Sequence, residues 1–486
     1  MKIVQVHNYY QQAGGEDAVV EAERLMLEAH GHQVVTFYRT NDVIAKGPSS
    51  QGGGQRIRNG RTAAWFSLLR VSVQTIWNWK TYREFSKLLK LERPDVVHCH
   101  NTFPLISPSI YWACAQSKVA VVQTLHNYRL LCLNAFLYRK SELISDNQLL
   151  ARSSSRAKIN GLNGQGSICE LCVSQQFKFS GVRYGCYRDS KAGSLVVAVL
   201  LFIHRVLGTW SKKVDCYIAL TEFQKNKMVE GGLPAGKISV KPNFTQRVID
   251  DASLTAGQRA VGSGSQAGGT SSSNCQPTTS QPYALFVGRL SAEKGCTVLL
   301  KAWDRFQVRL TADNTELTAQ QRPQLLIVGG GEQRHALESL ATQSHQPATI
   351  HFVGKMPNHQ VLALMRAAQF LILPSVWHEG FPMNIVESFA CGTAVVASDN
   401  GGMTEIIVEK QNGLKFELGN EEQLSQKISW AFDHPDKMDE MGSGARQDFE
   451  QKYSAEMNHS QLIDIYRKVV RKAEVLSPSM TDEIKI

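Results

Sequence analysis

The sequence has no run approaching the roughly 18 consecutive apolar residues that a bilayer-spanning helix needs. Its most apolar stretch, S-L-V-V-A-V-L-L-F-I at 194–203, is too short to cross a membrane. The opening M-K-I-V-Q-V-H-N is too short for a secretory leader and reads as a strand, so the expectation is a cytoplasmic protein. Also missing are a helix-turn-helix signal and any basic run interleaved with aromatic residues, which sets nucleic acid aside. The net charge of +10 nevertheless favours anionic company, leaving a diphosphate or an anionic membrane face as the classes of partner. Hydrophobic residues at 43% and charged residues at 20% are an ordinary globular balance, and 486 residues exceed one core, so two domains are expected.

The pattern of short apolar runs alternating with helical stretches reads as α/β with parallel sheets. Lys2 to Val6 is a strand, Gly14-Gly15 a tight loop, and Glu16 to Ala29 a helix with an apolar stripe at Val19, Val20, Ala22, Leu25 and Leu27. That strand, glycine pair and helix form the first unit of a Rossmann-like domain. Further strands are expected at 33–38, 95–99, 120–125, 215–220 and 238–243. Lys46 to Asn59 reads as a flexible loop. Thr62 to Leu89 reads as one helix, rich in aromatics at Trp65, Phe66, Trp77, Trp79 and Tyr82, with core packing favoured over a membrane-lying face. The apolar 194–203 run carries the same two readings. The expected domains are 1–245 with a cysteine-containing insertion at about 132–192, a low-complexity linker at 246–282, a second domain at 283–452, a final helix at 453–476 and a tail at 477–486.

Chemistry concentrates in 370–402, F-L-I-L-P-S-V-W-H-E-G-F-P-M-N-I-V-E-S-F-A-C-G-T-A-V-V-A-S-D-N-G-G. A buried strand leads through a polar loop into a helix start, with Glu379 just before the helix and Glu387 about two turns into it. The amides of Gly380, Phe381, Met383 and Asn384, around Pro382, lie where first-turn N–H groups lack helical partners and face an anion. Hydroxyls for carboxylates and phosphates for free amides are the needs of a sugar nucleotide. Upstream, G-R-L-S-A-E-K-G at 288–295 puts Arg289 and Lys294 beside a turn between strand and helix, suited to a diphosphate. His98 and His100 reach the carboxyl end of one strand, with His100-Asn101-Thr102 as an acceptor cleft, and His126-Asn127 follows another strand.

The two glutamates with seven residues between them in an E-G-F context, together with G-R-x-x-x-E-K-G, resemble the retaining family 4 glycosyltransferases. The resemblance implies the GT-B arrangement, two Rossmann-like domains with parallel sheets facing each other across a cleft. It implies transfer of a hexose from a nucleoside diphosphate sugar to an acceptor hydroxyl without a catalytic cofactor. It places Glu387 on the ribose, and Arg289 and Lys294 on the diphosphate. Glu379 and the Gly380–Asn384 segment fall on the hexose, and Gly354 near the base. Gly15 lies over the donor phosphates, and His126 reaches the sugar from the first domain. Family members often follow that histidine with Asp; here it is Asn127. H-N-T-F-P-L-I-S-P and T-L-H-N-Y-R-L-L-C are similar to exopolysaccharide- and capsule-type members, which implies a lipid-linked or glycan acceptor and peripheral attachment at the inner face of the plasma membrane. Two other readings stay open: a related GT-B enzyme such as an epimerase or phosphorylase, and an inactive membrane-associated partner. Finally, Cys132, Cys169, Cys172 and Cys186 have a spacing suited to a structural zinc, the alternative being four reduced loop thiols.

Overall fold

The computed structural model describes residues 1–9, 14–40, 72–139, 166–245, 281–312 and 321–475. The expected loop at 46–59, Trp65, Phe66, the tail at 477–486 and nearly all of the expected linker lie outside the described residues. The chain divides into two compact units: 1–137 with 169–243 and 455–486, and 138–168 with 244–454.

In the first unit, β1 (Lys2–Tyr9), β2 (Gln33–Thr40), β3 (Val96–Asn101) and β4 (Ala120–Thr124) join a sheet that later receives two more strands. A two-stranded antiparallel ribbon, β5 (Tyr138–Arg139) with β6 (Ser167–Ile168), falls in the second unit. The sheet is completed by β7 (Cys216–Ala219) and β8 (Ile238–Val240), giving the order β2-β1-β3-β4-β7-β8 with every pairing parallel. Ile3, Val4, Val6, Val96, Val97, Val121 and Val122 are fully or almost fully buried, as strands covered on both faces require.

The second unit repeats the plan with β9 (Tyr283–Val287), β10 (Gln324–Val328), β11 (Ile350–Gly354), β12 (Phe370–Leu373), β13 (Val395–Ser398) and β14 (Gly413–Phe416). Their order is β11-β10-β9-β12-β13-β14, again all parallel. In each sheet the winding reverses once, between β1 and β3 in the first and between β9 and β12 in the second. Ligands in open α/β sheets bind outside the carboxyl ends of strands at such reversals.

Three element expectations are corrected. The helix expected through residue 89 is broken at Trp77–Asn78, because the Asn78 side chain accepts from Thr81 N at 3.1 Å and starts a new helix, Trp79–Glu92. In the helix Gly15–Ala29, Leu25 is exposed, while the buried face carries Asp17 and Glu23 beside Val19, Val20, Met26 and Leu27. The helix after Glu379 begins only at Met383, so Glu387 is its fifth residue, one turn in rather than two. The apolar run at 194–203 lies in the helix Lys191–Val206, which buries Val197, Leu200 and Leu201 but exposes Leu195, Phe202, Ile203 and Val206. Among the described residues no helix is long and apolar enough to cross a membrane. The last helix, Ala455–Val475, packs against β4 and the helix Gly15–Ala29 within the first unit.

Candidate active site

The winding reversal of the second sheet brings two loops together. After β9 the chain turns through Gly288 to Ser291 into a single 3-10 turn, Ala292–Lys294, and then the helix Cys296–Ala312. After β12 it runs through Pro374 to Pro382 before the helix Met383–Ala390. Val376 N donates to Glu293 O at 2.9 Å, tying the loops. Their approach is so close at Gly295 (φ +69°) that a Cβ there would stand 1.8 Å from Pro374 O. Only glycine fits.

Across this junction Lys294 Nζ reaches Glu379 Oε1 at 2.5 Å, and Ser375 Oγ donates to the same oxygen at 2.8 Å. Glu379 is 4% exposed, and these two partners offset the cost of burying its carboxyl group. Lys294 Nζ also lies 5.5 Å from the Trp377 ring centroid. The backbone of Glu379 is held as firmly: Gly402 N donates to its carbonyl at 2.7 Å, and Gly401 (φ +60°) lies so near that a Cβ would meet that oxygen at 2.7 Å. Asn400 braces the neighbouring turn, donating to Trp377 O at 2.7 Å and contacting His378 Nδ1 at 2.8 Å. Arg289 differs. It is 60% exposed and its Nη2 is 3.2 Å from Glu293 Oε1, a surface contact that an anionic ligand can replace.

The remaining second-unit positions line the same edge. Gly380 and Phe381 precede the helix, with Phe381 edge-on to Tyr453 at 5.8 Å. Pro382 is the N-cap and contributes no N–H, so the candidate donors are the amides of Gly380, Phe381, Met383 and Asn384. The Asn384 side chain is already committed, donating to Val287 O at 2.8 Å and locking the helix start onto β9. Glu387 is part-buried on that helix. Gly354 (φ +87°) ends β11, and its carbonyl accepts from Gly329 N at 2.8 Å.

In the first unit, the reversal between β1 and β3 collects groups that periodicity alone did not single out. Gly15 is the first residue of its helix, and Gly14 N donates to Asp17 Oδ2 at 3.0 Å. Asp17 Oδ1 in turn lies 2.7 Å from His7 Nε2, leaving buried His7 Nδ1 without a hydrogen-bond partner among the described residues. His126, after β4, has its Nε2 3.0 Å from His100 Nδ1. Glu23 Oε1 lies 2.9 Å from His98 Nδ1 and 3.1 Å from His100 Nε2, and Glu23 Oε2 lies 3.9 Å from Lys241 Nζ. Burial pushes His100 down to about 3, with charge on His98 and His7 adding and Glu23 opposing. Burial, then His100 and His7, hold His126 well below the usual imidazole range. A cavity beside these groups is lined by His100, Asn101, Thr102, Gln123, Asn127 and Arg129. Glu23 and Asp17 carried a readable signal: both fall on the buried Val19–Val20–Met26 face of their helix.

Glu23, His98 and His100 also bring one ligand atom each within 4.8 Å of one another. Metal is disfavoured there, because Tyr466 OH already occupies His98 Nδ1 at 2.7 Å and the Lys241 ammonium adds positive charge. Among the described residues the cysteines form no disulfide. Burial pushes the Cys172 thiol up to about 12, reinforced by Cys132, Cys169 and Cys186 nearby.

Comparison with known proteins follows this division. Residues 14–243 match the model described as glycosyl transferase 4-like domain, and 273–448 match glycosyl transferases group 1. The chain is 29% identical over 202 residues to an alpha-maltose-1-phosphate synthase of Mycolicibacterium smegmatis, covering 39% of this chain and 48% of that one. It is 27% identical over 195 residues to an N,N'-diacetylbacillosaminyl-diphospho-undecaprenol alpha-1,3-N-acetylgalactosaminyltransferase of Campylobacter jejuni, covering 40% and 50%. The chain thus spans about half the length of these relatives. Among solved structures, Anabaena HepE in complex with UDP aligns with TM-score 0.57 at 15% identity, covering 96% of this chain and all of that one. The sucrose-phosphate synthase of Thermosynechococcus elongatus aligns with TM-score 0.59 at 17% identity, covering 97% and 99%. With two six-stranded parallel sheets and the two matched models following one another along it, the chain belongs to the group 1, 4-like glycosyltransferases of GT-B fold.

Proposed function

We propose that this protein is a retaining glycosyltransferase that moves a hexose from a nucleoside diphosphate sugar to an acceptor hydroxyl, with a lipid-linked or polysaccharide acceptor in cell-surface polysaccharide synthesis. The observation that carries the reading is the Lys294–Glu379 pair at 2.5 Å, set with Arg289 at the winding reversal of the second sheet. Lys294 and Arg289 neutralise the diphosphate as it leaves, stabilising charge that develops in the transition state. Glu379 and the amides around Pro382 orient the hexose, Glu387 takes the ribose hydroxyls, and Gly354 borders the base. Gly15 serves the phosphates, and His126 is the first unit's group for the sugar. Glu379 is already bound by Lys294 and Ser375, which suits orientation better than covalent attack. The reading is therefore departure and attack on one face of the sugar, with the leaving phosphate accepting the acceptor's proton.

HepE has been crystallised with UDP-glucose, which makes uridine sugars the first donors to try. Transfer predicts a product with the donor's α configuration and release of nucleoside diphosphate only when acceptor is present. A β product by NMR, or nucleotide release without acceptor, would overturn it in favour of inversion or of an epimerase-like reaction.

Membrane attachment is supported by apolar side chains on the solvent face of the helix Lys191–Val206, and by the Trp77, Trp79, Tyr82 and Trp112 cluster with Lys213 Nζ 4.7 Å from the Trp112 ring centroid. Aromatic and basic groups together suit an anionic lipid interface. A structural zinc on Cys132, Cys169, Cys172 and Cys186 is supported by their spacing along the chain; among the described residues the set with ligand atoms within 4.8 Å of one another is Glu23, His98 and His100.

A further inference from the structure

The first unit's cavity, at the carboxyl ends of β3 and β4, carries a single kind of charge on its walls. Among the residues that line it, Arg129 is the only Lys, Arg, Asp or Glu. Asn101, Thr102 and Asn127 are neutral, burial keeps His100 uncharged, and Leu200 and Leu201 close it with apolar surface. A cation walled by neutral and apolar groups is poorly screened and attracts an anion more strongly than a surface cation does. The Arg129 guanidinium is held in place by two rings. Its Cζ lies 4.7 Å from the Phe103 ring centroid and 5.4 Å from that of Tyr187, and the two rings meet edge-on at 5.6 Å. Its Nη1 donates to Leu133 O. A guanidinium carries five N–H donors in a fixed planar fork, so an arginine seated this way still suits bidentate binding of an oxyanion. A second cation meets the same ring: Arg188 Cζ is also 5.4 Å from the Tyr187 centroid. Arg188 (φ +53°) and exposed Asp189 (φ +54°) are consecutive non-glycine residues in the left-handed region, and this strained turn sets Arg188 beside Tyr187. Two guanidinium groups on one phenol ring repel each other, a repulsion that a bound anion relieves.

We propose that Arg129 and Arg188 bind an oxyanion carried by the acceptor, so that the molecule receiving the sugar is a phosphorylated or carboxylated one. This deepens, and rests on, the reading of the protein as a transferase to an acceptor hydroxyl, with His100, Asn101 and Thr102 on the acceptor side. Phosphate and carboxylate share the chemistry that the site reads: two oxygens with negative charge spread between them, matched to the guanidinium fork. The source is then either a phosphate on the acceptor or the carboxylate of an acidic sugar. Arg129, seated on its rings, supplies the directed contact. Arg188 is exposed and adds charge beside it. The neutral polar groups Asn101, Thr102 and Asn127 are left to meet hydroxyls, which every acceptor sugar has. Arg289 and Lys294 serve the donor's phosphates from the second unit, so each substrate has its own pair of cations.

The test uses the full chain labelled with fluorotryptophan and read by 19F NMR. Trp210 lines the cavity and is 8% exposed, so its signal reads ligand here rather than at Arg289 and Lys294. It is assigned by the resonance lost in Trp210→Phe. The probes are methyl phosphate, glucuronate and, as a neutral control, methyl glucoside, each titrated at constant ionic strength. At least one of the two anions should move the Trp210 signal to saturation, and methyl glucoside should bind at least about tenfold more weakly than that anion. Arg129→Gln should weaken anion binding at least about tenfold, and Arg188→Gln, at an exposed position, about threefold. Tighter binding of methyl phosphate assigns a phosphate on the acceptor, and tighter binding of glucuronate assigns an acidic sugar. Binding of neither anion, equal binding of the neutral control, or an unchanged affinity in either variant overturns the proposal. Should Arg129→Gln fail to fold, the neutral control and Arg188→Gln decide. The spectra need no turnover, so absence of sugar transfer would sink the functional reading while the oxyanion site stands or falls on its own titration.

Discussion

Arg289 and Lys294 sit five residues apart yet have opposite surroundings, and the difference sets what each substitution does. Lys294 is bound into the protein through Glu379 in a largely buried pair, whereas Arg289 is 60% exposed and meets Glu293 at the surface. Replacing either by Ala should lower kcat at least about tenfold in a sugar-transfer assay. Only Lys294→Ala should also lower thermal stability, since it strands the Glu379 charge in a site that is 4% exposed. Full turnover in both variants would remove the phosphate assignment. The first unit's histidines make a second residue-level prediction. His100 is held down to about 3 by burial, and His126 well below its usual value of 6.5. Below about pH 6.5 the unfolded chain binds protons these rings refuse when folded, so stability falls as pH drops, by about 1.4 kcal/mol per pH unit for each ring. Glu23, whose burial is outweighed by His98 and His100 so that it stays ionised, adds its own loss only below its ordinary 4.5. Urea unfolding at pH 7.5 and at pH 5 should show this slope, reduced in His100→Asn; an unchanged slope in the variant would contradict it.

At the scale of elements, the helix Lys191–Val206 is amphipathic with apolar residues on both sides. Val197, Leu200 and Leu201 pack into the core, while Val206 is 69% and Phe202 37% exposed. Phe202→Ser with Val206→Ser should leave the fold intact and weaken sedimentation with phosphatidylglycerol vesicles at least about tenfold. Equal sedimentation of both proteins would remove this helix from the membrane reading. The cysteine loops make a separate prediction: elemental analysis should find about one zinc per chain, lost in Cys172→Ser. Elements were legible where hydrophobic period decided them, as in the continuous apolar strands of both sheets. They were misread where a polar side chain overrode the pattern. Asn78 breaks a helix that its neighbours continue, and Pro382 delays one until Met383. The pattern also hid Glu23, since a charge on an apolar face is visible as an exception but its partners, far away along the chain, are not.

For the whole molecule, the repeated plan of two parallel sheets could be read from alternating strands and helices, and the strand–loop–helix segment that carries Glu379 and Glu387 from its apolar run and turn residues. Spacing alone does not reveal that β9 and β12 are neighbours, which joins Lys294 to Glu379 across 84 intervening residues. Nor does it reveal that the last helix returns to the first unit, where Tyr466 reaches His98. The central claim is that the second unit holds a nucleotide sugar at this junction. The most direct measurement is thermal shift of the full chain against a panel of nucleoside diphosphates and their sugars, with Glu387→Ala beside it. The account predicts stabilisation by one nucleotide class, about 2.7 kcal/mol at a ligand concentration near 100 times Kd, and loss of that shift in the variant. No shift with any nucleotide, or an equal shift in Glu387→Ala, would contradict it.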